Sequence, residues 1–213
     1  EMDRALCRHY GVLLGLEKPW SVAEVRVDPG GLKVELRLEH DPGARCQCPE
    51  CGKSAARHDW APERRWRHLD VMQFETVLVA RAPRVDCPAC GVKTAAVPWA
   101  GKHSRFTLLF EHFAILVMQA CANQARAAAL LGVDWWSLEH IVRRAVERGL
   151  ERRSLEELAR VGIDEKSFGR GQNYVSILSD LEGARVLEVV EGNDTDAAVA
   201  LWRSLPEKSR KRV

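Results

Sequence analysis

Between residues 32 and 39 apolar and charged positions alternate strictly: Leu32, Val34, Leu36 and Leu38 against Lys33, Glu35, Arg37 and Glu39. A period of two puts the apolar set on one face of a half-buried sheet. With "VAEVRVD" before it and "PGG" between, the pattern predicts a β-hairpin in the N-terminal segment, residues 1–43. A second strand signal runs from Val71 to Val85. From Thr107 the apolar spacing becomes helical and predicts three helices, over about 107–120, 124–131 and 135–150. Gly132 separates the second from the third, and Asp134 offers the third an N-cap. A polar stretch, "ERGLERRSLEEL", leads out as a helical linker. Beyond Arg160 strands return in "RVGID", "NYVSILSD" and "ARVLEVVEG", followed by a helix in "DTDAAVALWRSL". The order β, β, β, α opens a mixed sheet, and the whole reads as a multidomain α+β chain.

Composition narrows the class. With 46% hydrophobic and 29% charged residues among 213, the chain has the make-up of a soluble globular protein. The longest apolar run, Phe106 to Ala122, contains Glu111 and His112 and is too short to span a bilayer, so no membrane is expected. Seven cysteines, five of them in two clusters, argue against a disulfide framework and for a reducing, cytoplasmic setting. The net charge of +2 hides a polarity. Residues 44–105 carry 11 Lys and Arg against 6 Asp and Glu, the last eleven residues 5 against 1, and residues 161–202 only 3 against 8. Such a chain suits a polyanion at one part and a divalent cation at another.

Two copies of one motif, "CPECG" at 48–52 and "CPACG" at 87–91, supply the candidate metal site. Thiolates two residues apart can grip one tetrahedral ion, and the glycine after the second lets the turn take a positive φ. Cys48, Cys51, Cys87 and Cys90 are therefore expected to hold a structural Zn2+ with no open position. The 35 residues between Cys51 and Cys87 make a long insert, but closure entropy grows only logarithmically with length. Cys46 is a competing ligand. His58 and His68 are read as surface or nucleic-acid-facing groups, and Cys7 and Cys121 as buried thiols.

"QARAAALLGVDWWSLEHIVRR", residues 124–144, fits a helix-turn-helix. Ala128, Gly132, Val133, Leu138 and Ile141 take the small, turn and clamp positions. The preceding helix would wall the core with Phe106, Leu109, Phe110, Phe113, Leu116 and Val117. On the third helix Trp135, Leu138, Ile141, Val142 and Ala145 are expected to face inward. Trp136, Ser137, His140, Arg143 and Arg144 are expected outward, where they could address base edges and phosphates of double-stranded DNA. The alternative is a helical hairpin for protein contacts, since Glu139 and Glu147 dilute the charge. In "ERRWRH", Arg64, Arg65 and Arg67 around Trp66 are a second candidate phosphate contact, with a solvated turn as the competing reading.

One stretch remains, "VGIDEKSFGRG" at 161–171, where a strand carries Asp164 and Glu165. Burying a carboxylate is costly unless a cation neutralises it. Taken in order, the doubled CPxCG ribbon, the helix-turn-helix and "VGIDEKSFGRGQNYVSILSDLEGARVLEVVEGND" resemble the insertion-sequence transposases of the ISL3 family. The resemblance covers nearly the whole chain from about Leu6. It implies a zinc ribbon at 44–100, a helix-turn-helix at 101–150, a linker at 151–160 and, from 161 to 213, the start of a ribonuclease H-like α/β domain. It also implies a DDE transposase that holds terminal inverted repeats, with Asp164 as first catalytic acid and ligand of a catalytic Mg2+, working near the nucleoid and leaving room for a homo-oligomer on the DNA. Asp180 reads as a turn acid. The family's later acids are not matched before "EKSRKRV", so a fragment inactive by itself is expected. The competing hypothesis is a non-catalytic DNA-binding regulator or transposition inhibitor.

Overall fold

The computed structural model describes residues 2–155, 158–168, 171 and 173–213, and divides into two compact units, Glu1–Ala145 and Val146–Val213. The first unit opens with a helix not among those expected, α1 (Met2–Leu13). The expected hairpin follows as β1 (Trp20–Asp28) and β2 (Lys33–His40), antiparallel with Trp20 opposite His40. Val34, Leu36 and Leu38 are buried, as the alternation requires. Leu32 is not: it occupies the turn in a left-handed conformation, φ 48°, and stands in solvent.

The next strands are short: β3 (Cys46–Gln47), β4 (Ser54–Ala55), β5 (Arg57–Trp60) and β6 (Arg64–Arg67). The strand signal of 71–85 resolves into two strands, β7 (Glu75–Ala80) and β8 (Pro83–Cys87), and β9 (Gly91–Thr94) completes the set. β7 runs parallel to β2, with Lys33 opposite Glu75, and β6 pairs antiparallel with β7, so one sheet of order β1-β2-β7-β6 draws strands from both sides of residue 43. A parallel neighbour requires a long crossover. Here that crossover carries β3 to β6 and the first cysteine knuckle. The sheet's core centres on three tryptophans in edge-to-face contact, Trp99 with Trp20 at 4.7 Å and with Trp66 at 5.5 Å, and α1 adds Cys7 and Tyr10 to it. Such ring pairs contribute beyond their area. β5, β8 and β9 form a separate antiparallel sheet, and β3 pairs with β4.

Three helices close the unit: α2 (Leu108–Ala120), α3 (Gln124–Leu131) and α4 (Trp135–Arg152). Each N-terminus is capped by the residue type that satisfies its orphan N–H groups. Thr107 Oγ1 accepts from Phe110 N at 3.2 Å, Asn123 Oδ1 from Arg126 N at 3.0 Å, and Asp134 Oδ1 from Ser137 N at 2.8 Å. Gly132 ends α3 at φ 64°, the left-handed stop the sequence asked of it. The core comprises Phe106, Phe110, Ala114, Ala127, Ala128, Leu131, Leu138 and Ile141. Leu109, Phe113 and Leu116, expected in it, are each about half exposed, as is Trp135. α2 buries the Phe110–Ala114 line, four residues apart on one face, and the other apolar line lies away from that core.

In the second unit β10 (Val161–Ser167), β11 (Tyr174–Asp180) and β12 (Arg185–Glu191) form an antiparallel sheet in that order, followed by α5 (Thr195–Ser204) and α6 (Glu207–Arg210). Leu158, Leu178, Leu187, Leu201 and Leu205 are its core. Part of the expected linker, residues 156 and 157, lies outside the described residues.

Candidate metal centre and nucleic-acid interface

The two knuckles are built alike. Cys48 follows β3, and Gly52 at φ 71° turns its N–H back to Cys48 O at 2.9 Å. Cys87 ends β8, Cys90 N donates to Cys87 O at 3.2 Å, and Gly91 also stands at φ 71°. An L side chain at either glycine would sit in strained backbone, which explains the motif's fifth position. The Sγ atoms of Cys48, Cys51, Cys87 and Cys90 all lie within 4.8 Å of one another, and Cys51 Sγ is 3.6 Å from Cys87 Sγ. Four sulfurs about 2.3 Å from a tetrahedral ion are about 3.8 Å apart, so the set fits a zinc-sized cation. The local electrostatics agree. The Ala89 backbone N–H draws the Cys87 thiol down to about 7, while the neighbouring Cys51 thiol and burial push Cys90 up to about 12. Four sulfurs this close do not all ionise unless a cation sits among them. Cys46 stays out of the group: it is buried with Sγ 3.5 Å from His40 Nε2.

On α4 the exposed face is narrower than expected. Trp136 is 68% exposed, and the side chains of His140 and Arg143 are 58% and 62% exposed, with Arg143 Nη2 2.7 Å from Glu139 Oε1 one turn back. Ser137 and Arg144 turn inward. Ser137 Oγ donates to the capping Asp134 Oδ2 at 2.7 Å and is buried. Arg144 donates from Nε and Nη2 to Glu111 Oε1, at 3.1 and 2.8 Å. Glu111 is 1% exposed and also accepts from Ser104 Oγ at 2.8 Å, so α2, α4 and the loop before α2 meet at one carboxylate. Sequence reasoning missed that role, though the signal was present: a lone acid in an otherwise uncharged apolar helix needs a buried partner.

The arginines of β6 are likewise mostly committed. Arg64 Nη2 donates to Ser104 O at 2.8 Å, with its guanidinium 4.9 Å from the centre of the Trp66 ring. Arg65 is exposed and bonds Glu35 Oε2 at 2.6 Å. Arg67 is largely buried between Asp70, 2.5 Å away, and the Phe110 ring. Trp66 is fully buried, so this segment is an edge strand of the sheet and not a solvated turn. His68, expected on the surface, is buried with Nδ1 2.9 Å from Thr107 Oγ1, and desolvation lowers its pKa from 6.5 to about 4. His58 is at the surface, 3.3 Å from Asp59.

Asp164 lies on β10, an edge strand, and is exposed; its Oδ1 accepts from Glu165 N at 2.9 Å. Its carboxylate therefore carries no burial cost. Among the described residues the four cysteines are the one group of three or more His, Cys, Asp or Glu side chains close enough to share an ion, and Asp164 has no such company. Asp180 is the turn acid expected of it. It accepts from Gly183 N and Glu182 N and meets Arg185 at 3.1 Å, and these bonds, the Gly183 amide first, hold its carboxyl below the usual range.

A paired-knuckle module, a trihelical unit and a three-stranded sheet, in that order, define a class of zinc-ribbon and helix-turn-helix proteins. Three family models match the chain in the same order. The zinc-finger of transposases IS204, IS1001, IS1096 and IS1165 matches residues 44–90, the helix-turn-helix domain of transposase family ISL3 matches 95–146, and a transposase domain of ISL3 matches 161–213. The chain belongs to the ISL3 transposase family. The transposase for insertion sequence element IS1557 of Mycobacterium tuberculosis is 32% identical over 195 residues, covering 88% of this chain and 43% of the relative. The transposase for IS1001 of Bordetella parapertussis is 22% identical over 189 residues, covering 87% and 45%. The chain thus spans less than half the length of these relatives. No solved structure is a significant match.

Proposed function

We propose that this chain is the DNA-holding portion of an insertion-sequence transposase, in which Cys48, Cys51, Cys87 and Cys90 bind one structural Zn2+ and the exposed face of α4, with Trp136, His140 and Arg143, enters the major groove of the terminal inverted repeats. The observation that carries this reading is the convergence of four sulfurs within 4.8 Å beside a capped helix-turn-helix of matching family order. Zinc there would supply cross-linking and no chemistry, since four thiolates leave no open position. Ser137, Arg64, Arg67 and Arg144 drop out of the proposed contact set because their donors serve the fold. Arg65 stays at its margin.

Asp164 is proposed as the first acid of a ribonuclease H-like DDE site, where Mg2+ would activate the attacking oxygen for phosphodiester displacement. One exposed carboxylate does not make a magnesium site, so we assign these residues binding and no cleavage. The protein is then a DNA-occupying regulator when acting with these residues alone. No described helix is long and apolar enough to cross a membrane, which is compatible with the cytoplasmic, nucleoid-side setting and the DNA-borne oligomer proposed here. The test is retention of a duplex carrying the element's end. Wild type should bind it and leave it uncut with Mg2+ present, and the Trp136→Ala/Arg143→Ala pair should bind at least tenfold more weakly. Equal binding by that pair would move the interface off α4.

A further inference from the structure

A groove of about 690 Å3 runs between the first cysteine knuckle, the end of β9 and the loop before α2, and the function above leaves it unused. Its lining is rich in small residues: Ala61, Ala82 and Ala100 are buried, Ala95 is half-buried and Ala96 is exposed at the edge. Its lining carries Arg64, Lys93, Lys102 and His103, against a single acid, Glu50, which lies 3.6 Å from Lys102 Nζ. An apolar lining under a cationic rim suits a polymer that presents flat rings and sugars on one side and anions at intervals on the other. The rim is also mechanically tied to α4. His103 is held at φ 62°, a left-handed conformation, Ser104 N donates to Gly101 O at 3.1 Å, Ser104 O takes the Arg64 bond, and Ser104 Oγ reaches the Glu111 carboxylate that Arg144 clasps.

We infer that this groove holds the sugar–phosphate backbone of a DNA strand beside the segment proposed to be read by α4, with Lys93 and Lys102 at the phosphates and Arg64 bracing the rim through Ser104. The Ser104–Glu111–Arg144 chain fixes the spacing between the two contacts. This rests on the DNA-binding reading given above and adds a second contact to it.

The experiment measures Kd against salt for a fluorescein-labelled mixed-sequence duplex about two helical turns long, using the full zinc-loaded chain. Each phosphate contact contributes about 0.9 to the logarithmic salt slope. Lys93→Ala/Lys102→Ala should flatten the slope by about 2 and weaken binding at least tenfold. Lys18→Ala/Lys33→Ala, which removes the same charge from exposed sites elsewhere, should do much less. Ala96→Phe, which fills the groove from an exposed position without changing charge, should weaken binding several-fold while zinc content and circular dichroism stay as in wild type. If the groove variants bind like wild type while Trp136→Ala/Arg143→Ala is impaired, the groove is wrong and α4 stands. If wild type itself does not bind the duplex, the reading beneath both fails.

Discussion

Glu111 and Arg144 show how a residue's role is set by what it meets. Arg144 is read from the helix pattern as an outward guanidinium, and instead it neutralises a carboxylate that is 1% exposed. Removing one partner of such a pair leaves a charge without compensation. Arg144→Ala is expected to destabilise the first unit by about 3 kcal/mol in urea denaturation, with Glu111→Gln less harmful because it deletes the buried charge itself. His68 yields a pH prediction. Burial keeps it neutral in the fold down to about pH 4, whereas the unfolded chain protonates near 6.5. Its contribution is therefore complete above about pH 6.5, declines as pH falls towards 4, and is worth about 3 kcal/mol at most. Unfolding measured between about pH 7 and pH 5 should be visibly less pH-dependent in His68→Gln than in wild type. Spacing gave Arg64 and Arg67 a place in a basic run, but Ser104 and Phe110, which they meet, come from a distant segment that periodicity does not encode, while Ser137 is turned inward by the local Asp134 cap.

Among the elements, what local chemistry dictates was readable. The β1–β2 hairpin, the three helices and the caps at Asp134 and Gly132 follow from alternation, helical spacing and two residue types. α1 was legible and missed: Cys7, Tyr10 and Leu14 recur at helical spacing, and it is this stripe that packs on the sheet. The parallel pairing of β2 with β7 was hidden, since register between segments over thirty residues apart is set by burial of Leu36 and Leu78 in one core. Gly132 tests the turn of the helix-turn-helix. No atom lies within 4 Å of where a Cβ would stand, so Gly132→Ala should cost only the left-handed backbone term, about 1 kcal/mol, measured by thermal unfolding. A much larger loss would mean that the turn has steric demands beyond its φ of 64°.

At the scale of the molecule, the first unit joins a four-cysteine module to a helix-turn-helix, and the second carries Asp164 exposed on its edge strand with no group of acids near enough, among the described residues, to share an ion. The knuckles were legible because a ligand spacing is local, and the third module because its motif order matches one family. Where Asp164 would find companions was not legible, because acids that share an ion come from separate strands and helices. β3, β4 and β8 are too short to hold their own core, so the fold of the ribbon is expected to depend on its ion. The most direct measurement is the metal content of the purified chain, wild type and Cys87→Ser, by elemental mass spectrometry alongside circular dichroism. Stoichiometric zinc in the wild type, with loss of both metal and ribbon structure in the variant, is the predicted result; a folded, metal-free wild-type chain would contradict it.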